Sequence, residues 1–151
     1  MTRFLGICAL CTLFTTMLIA CSQKNADLVD AASSGNLQKV ESLLKDGADI
    51  EASSMDGLTP LEAAAKSGHL PVVRYLIERG ASVNGDGKSD RTALGLAIIY
   101  EHTDCAEYLA KNGGQLRGTD TWKEGLLSTL RKDNKPELID LVQQQRAKSA
   151  P

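Results

Sequence analysis

Apolar and small residues recur along this chain at one fixed interval of 33 positions. The clearest copy runs from Asp56 to Asn84, DGLTPLEAAAKSGHLPVVRYLIERGASVN. Shifted by 33, Thr59 and Leu61 fall on Thr92 and Leu94, and Ala64 falls on Ala31 and Ala97. Gly68 falls on Gly35, Leu76 on Leu43 and Leu109, and Gly80 on Gly47 and Gly113. A period of this length marks an array of stacked supersecondary units.

Each unit reads as two short helices and an extended connector. Asp56-Gly57 supplies a turn, Thr59 an N-cap, and Pro60 a first helical residue whose missing N–H costs nothing. Leu61, Ala64 and Ala65 form a narrow apolar stripe, and the small alanines let a neighbouring helix come close. Gly68 ends that helix. The pattern predicts a second helix over Leu70 to Glu78, with Val72, Val73, Leu76 and Ile77 buried. Gly80 closes it, and Ala81 to Val83 carry the chain outward to the next unit. One such unit cannot cover its own apolar faces, so neighbours must stack on it.

The stretch TPLEAAAKSGHLPVVRYLIERGA closely resembles the ankyrin repeat, with Glu62 where that family usually has His. The resemblance implies an all-α ankyrin-repeat solenoid of about four helix-turn-helix units joined by hairpin loops. Two central repeats sit between degenerate N- and C-terminal caps, over residues 26–143. In the first unit, helices are expected over Ala26 to Ser33 and Leu37 to Lys45, with polar Asp27, Asp30 and Lys39 facing outward as in an end cap. The third unit starts at Asp90-Arg91-Thr92-Ala93-Leu94, with Ala93 for the usual Pro and Glu101 for the helix-ending Gly. The fourth, Trp122 to Gln145, keeps only the spacing of Leu127, Leu130, Asn134, Leu138 and Val142, with Pro136 opening its second helix. Residues 144–151 are expected as a polar tail.

Residues 1–20 stand apart from this pattern. Arg3 is a short positive start, Phe4 to Ala20 carries no charge, and the segment closes on Leu18-Ile19-Ala20-Cys21. This reads as a cleaved export signal, and its last four residues resemble the bacterial lipobox. The resemblance implies removal of 1–20 and acylation of Cys21, with 21–25 as lipidated residue and short tether. A single membrane-spanning anchor would need more length than these seventeen uncharged residues comfortably give. Ser22 after the acylated Cys resembles the outer-membrane class, so the expected place is the cell envelope, facing the periplasm. Cys8 and Cys11 leave with the signal, so Cys105 alone has no intramolecular disulfide partner. Cys105 lies one period after Val72 and reads as a small buried apolar residue.

Candidate chemistry is sparse. His69 and His102 occupy equivalent positions of successive repeats, where the family resemblance implies packing near the turn. No Ser-His-Asp arrangement, metal-ligand cluster or phosphate-cradling loop stands at useful spacing, and Gly85-Asp86-Gly87 lacks a strand-then-helix setting. The mature chain carries 16 basic and 19 acidic residues with no basic run, which argues against nucleic acid. The expectation is a monomer without catalysis, metal, cofactor or small-molecule substrate.

Binding is expected on the concave surface that stacked repeats share. The ankyrin pattern assigns to it Met55, Asp56 and Leu58 from the first hairpin, with Lys66 and Ser67 from the helix that follows. The next hairpin adds Lys88, Ser89 and Arg91, then come Ile99 and Tyr100, and the last unit adds Thr121, Trp122 and Glu124. Only six residues are aromatic, two of them in the export signal, yet Tyr100 and the sole Trp122 both fall here. Trp, Tyr and Arg are the types that dominate interface energetics. Packing on the C-terminal cap for Trp122, and cover of an inter-repeat seam for Tyr100, are the competing roles. Tyr75 and Tyr108 are equivalent second-helix positions and read as packing residues. Two functions fit: a membrane-tethered immunity protein neutralising a secreted antibacterial effector, or an accessory protein supporting a resident envelope enzyme or complex.

Overall fold

The computed structural model describes residues 23–85 and 92–149. Among them the chain forms eight helices and no strand: α1 (23–33), α2 (Leu37–Lys45), α3 (Pro60–Ser67), α4 (Leu70–Glu78), α5 (Ala93–Ile99), α6 (Thr103–Lys111), α7 (Asp120–Lys132) and α8 (Pro136–Ser149). First helices pack on first helices (α3 on α5), second on second (α2 on α4, α4 on α6, α6 on α8), and the two layers meet within each unit. No helix among the described residues is long and apolar enough to cross a membrane.

Local chemistry sets the starts and ends of these elements. At α3, Thr59 Oγ1 accepts from Glu62 N at 3.2 Å while Thr59 N donates to Glu62 Oε2 at 3.0 Å, a reciprocal capping box behind Pro60. Thr92 repeats half of it, accepting from Gly95 N at 3.2 Å, and its hydroxyl donates to the carbonyl of Gln115 at 2.7 Å. Each first helix ends on a left-handed residue: Gly35, Gly68, Glu101 and Asn134, with φ of 73°, 77°, 61° and 53°. The apolar positions of the repeat form one continuous core, in which Leu28, Val40, Leu61, Val72, Leu76, Leu94, Ile98, Leu109, Leu127, Leu130, Leu138 and Val142 are buried.

Three boundaries differ from the sequence expectation. Residues 23–25, expected in the tether, are helical, and Lys24 and Asn25 bond the turn after α2 through the carbonyl of Asp46 and the amide of Asp49. Residues 144–149, expected in the tail, continue α8. Gln145 falls three residues after Val142 and seven after Leu138, so it extends their buried face and is itself 5% exposed. The fourth unit begins earlier than Trp122, at the cap Thr119, which accepts from Trp122 N at 3.3 Å.

The early start of α7 also reshapes the surface on which binding is expected. The cap Thr119 follows Thr92 by 27 residues, although the helix end Asn134 still follows Glu101 by 33. The six residues in question are helical, which makes α7 13 residues long against 8 for α3 and 7 for α5. Six extra helical residues of α7, somewhat under two turns, therefore stand where a third hairpin finger would be.

Candidate partner-binding face

The projected face begins at the finger between α2 and α3. Its turn is closed by Leu58, whose carbonyl accepts from Ser54 N at 2.9 Å and whose N–H donates to Ser54 Oγ at 3.2 Å. Leu58 is thereby half-buried, whereas Asp56 is exposed and Met55 projects fully into solvent at 107% relative exposure. At the far ends of the first helices, Ser67 is exposed, Lys66 and Ile99 are half-buried, and Tyr100 keeps 44% of its surface. Lys66 Nζ lies 5.5 Å from the Tyr100 ring centroid, within cation–π range. Lys88, Ser89 and Arg91, expected on this face, and Cys21, expected to carry the lipid, lie outside the described residues.

Trp122 takes the packing role. It sits on the first turn of α7, half-buried against the core, and a Cβ on Gly118 would stand 2.7 Å from its Cε3. A Cβ on Gly95 would reach its Cη2 at 3.9 Å, so the indole covers the seam between α5 and α7. Thr121 and Glu124 are exposed on the same extra helical stretch rather than on a hairpin. The reason is the missing finger: with those residues helical, the indole turns inward onto two glycines that offer it room.

Stitching between units uses groups that sequence reading only partly named. His69 Nε2–H donates to the carbonyl of Ser33 at 3.0 Å and His102 Nε2–H to that of Lys66 at 3.1 Å; a carbonyl partner fixes Nε2 as the protonated nitrogen. Both histidines thus hold seams. On the finger side, Ser82 N donates to Glu51 Oε1 at 2.6 Å, and one period later Gln115 N donates to Asn84 Oδ1 at 2.8 Å. Asn84 Nδ2 also donates to the carbonyl of Gly113, and Arg117 Nη2 to that of Asn84. Residues 51, 84 and 117 share one repeat position, and that equivalence was the available signal. Tyr75 and Tyr108 lie on the second helices as expected, with Arg79 over the first ring at 4.8 Å and Arg74 over the second at 4.9 Å.

Two buried titratable groups lie away from this face. Burial in the core raises the Glu62 carboxyl above its ordinary value; the Glu51 charge adds to this, and hydrogen bonds from Thr59 oppose it. Glu62 Oε1 is buried with no hydrogen-bond partner among the described residues. Cys105 is 1% exposed, and desolvation pushes its thiol up to about 11, far from the thiolate a nucleophile needs. Among the described residues, no group of three or more His, Cys, Asp or Glu is placed to hold a metal ion.

Helix pairs stacked unit on unit, first helices on first and second on second, define a helical-repeat solenoid. The family profile for ankyrin repeats, in three copies, matches residues 28–120, well over half of the chain, and the chain belongs to the ankyrin-repeat family. No curated protein matches the chain. Ankyrin repeats generally mediate protein–protein interaction and are typically non-enzymatic binding modules, and no catalytic family is indicated. A protein partner is the kind that follows from this membership.

Proposed function

We propose that the chain is a lipid-anchored module of the bacterial cell envelope that binds a partner protein through its concave face. One observation supports the face. Met55 and Tyr100 are the exposed large hydrophobics among the described residues, and both belong to the surface the repeat pattern selects. An apolar side chain held in water gains free energy when a partner covers it, at about 25 cal/mol per Å². The anchor rests on the lipobox-like Leu18 to Cys21, and the outer-membrane placement on Ser22. In its most concrete form the partner is a secreted antibacterial effector, which a tethered inhibitor meets where the effector acts. In the accessory form it is a resident envelope enzyme or complex.

The test is capture by the folded protein against the Met55→Ala/Tyr100→Ala variant, using both the secreted proteins and the envelope extract of one strain. Capture of an exported toxin that the variant releases supports the immunity form. A resident enzyme released in the same way supports the accessory form. A folded variant that keeps all partners overturns this face, and failure of a fatty-acid label to mark the protein at Cys21 overturns the anchor.

A further inference from the structure

The chain enters its domain at the finger end of the stack. Lys24 Nζ donates to the carbonyl of Asp46 at 3.0 Å, and Asp49 N donates to Asn25 Oδ1 at 2.9 Å. Asp46 is the C-cap of α2, and Asp49 opens the connector that runs through Met55 to the α3 cap Thr59. The first helices α3, α5 and α7 finish at the opposite end, at Gly68, Tyr100 and Asp133.

Only Ser22 separates Cys21 from the helical residue 23. A fully extended chain spans at most about 3.6 Å per residue, so Gln23 lies within about 7 Å of the Cys21 α-carbon. A bilayer of about 40–45 Å around a hydrocarbon core of about 30 Å leaves about 5–8 Å of headgroups in each leaflet. Gln23 is therefore held within about one headgroup layer's thickness of the Cys21 α-carbon, which keeps the first turn of α1 at the membrane surface while acyl chains on Cys21 occupy the core. The bonds of that first turn to Asp46 and Asp49 bring the turn after α2 to the same depth.

Resting on the proposed anchor at Cys21, we infer that the phospholipid surface is itself a partner of this domain, taken up by the finger end of the first unit. The contact is made by the first turn of α1 and the Asp46–Asp49 turn. The Lys66 and Tyr100 end of the concave face stands toward the aqueous side. Chain length imposes the contact, because this end carries Asp46, Asp49 and Glu51 as well as Lys24 and Lys45 and has no net attraction for anionic lipid. Orientation then restricts function: a soluble protein meets the Tyr100 end of the face first, and Met55, on the finger end, lies nearer the membrane surface.

The experiment uses the full acylated chain, purified from membranes and reconstituted in phosphatidylcholine vesicles containing headgroup spin-labelled lipid. An environment-sensitive fluorophore is placed by Asp46→Cys or by Asp133→Cys, two exposed C-cap positions, with Cys105 buried and unlabelled. Asp133 lies at the far end of a 13-residue helix, about 20 Å from its finger-side start. The expected result is quenching at position 46 several-fold stronger than at 133, unchanged by 0.5 M salt. A 20-residue Gly-Ser insert after Ser22 should abolish that difference. Equal quenching at both positions in acylated protein overturns the orientation and leaves the anchor standing, and a difference that survives the insert overturns chain length as its cause. A mass spectrum showing unmodified Cys21 overturns the anchor, and the orientation with it.

Discussion

Glu101 Oε2 lies 3.1 Å from Lys135 Nζ, and this ion pair occupies the place where the two preceding seams set a histidine ring against a bare glycine. The partners are 34 residues apart in all three seams: Gly35 with His69, Gly68 with His102, and Glu101 with Lys135. The glycine and the histidine are coupled because a Cβ would enter the ring: at Gly35 it would stand 2.6 Å from His69 Nδ1. Once the ring is replaced by a flexible Lys, the left-handed position tolerates a side chain, and Glu101 holds φ 61° there.

Exchanging the third seam for the first two tests this coupling. A left-handed non-glycine residue costs about 1–2 kcal/mol, and an exposed ion pair returns about 0–1 kcal/mol. Glu101→Gly together with Lys135→His should stabilise the domain by about 1 kcal/mol in urea titrations. Lys135→His alone should destabilise it, because Glu101 then meets the ring. Additivity of the two single changes would show that the residues are not coupled.

Two glycines of the second unit separate backbone strain from crowding. Gly68 and Gly80 have φ of 77° and 91°, but only at Gly68 would a Cβ overlap a neighbour, the ring of His102. Gly80→Val should cost on the order of 1 kcal/mol, from the left-handed conformation alone. Gly68→Ala should cost about 2–3 kcal/mol, since displacing the ring also breaks its bond to the carbonyl of Lys66. Equal losses for the two variants in thermal unfolding would sink the crowding argument.

Cys105 provides a reporter of opening. With its thiol buried and pushed up to about 11, the native protein should react with a disulfide reagent at pH 8 only as fast as it unfolds. The rate should rise with urea in step with loss of helix. Immediate stoichiometric reaction without denaturant would contradict the buried placement.

The repeat itself was legible because its signal is redundant. Thr59, Leu61, Ala64, Gly68, Leu76 and Gly80 each recur at the period, and each has one physical role in the unit. The edges were less legible, since Lys24 and Asn25 earn their helical places by bonding residues more than twenty positions away. Trp122 stayed divided between packing and a partner surface because a fixed period set it level with a finger. The six-residue conversion of that finger into helix leaves the later helix end in register and so hides from a period count. The Glu101–Lys135 exchange was half visible, as a glycine missing from its position, with nothing local to name the lysine.

Glu62 stands where the family pattern usually has His, and it should make stability depend on pH. Its folded-state carboxyl is raised above the ordinary 4.5, first by burial and then by the Glu51 charge, against the opposing bonds from Thr59. A carboxyl with a raised folded value binds its proton more tightly when folded than when unfolded. Its contribution is therefore fully present below pH 4.5 and is lost as pH rises through the folded value. Above that window the charged form is buried with Oε1 unpartnered. Glu62→Gln keeps an oxygen to accept from Thr59 N and removes the charge. The variant should melt higher than the parent at pH 8, and the gap should close as pH falls toward 4. A difference in melting temperature that is constant from pH 4 to pH 8 would show that ionisation of Glu62 is not what destabilises the core.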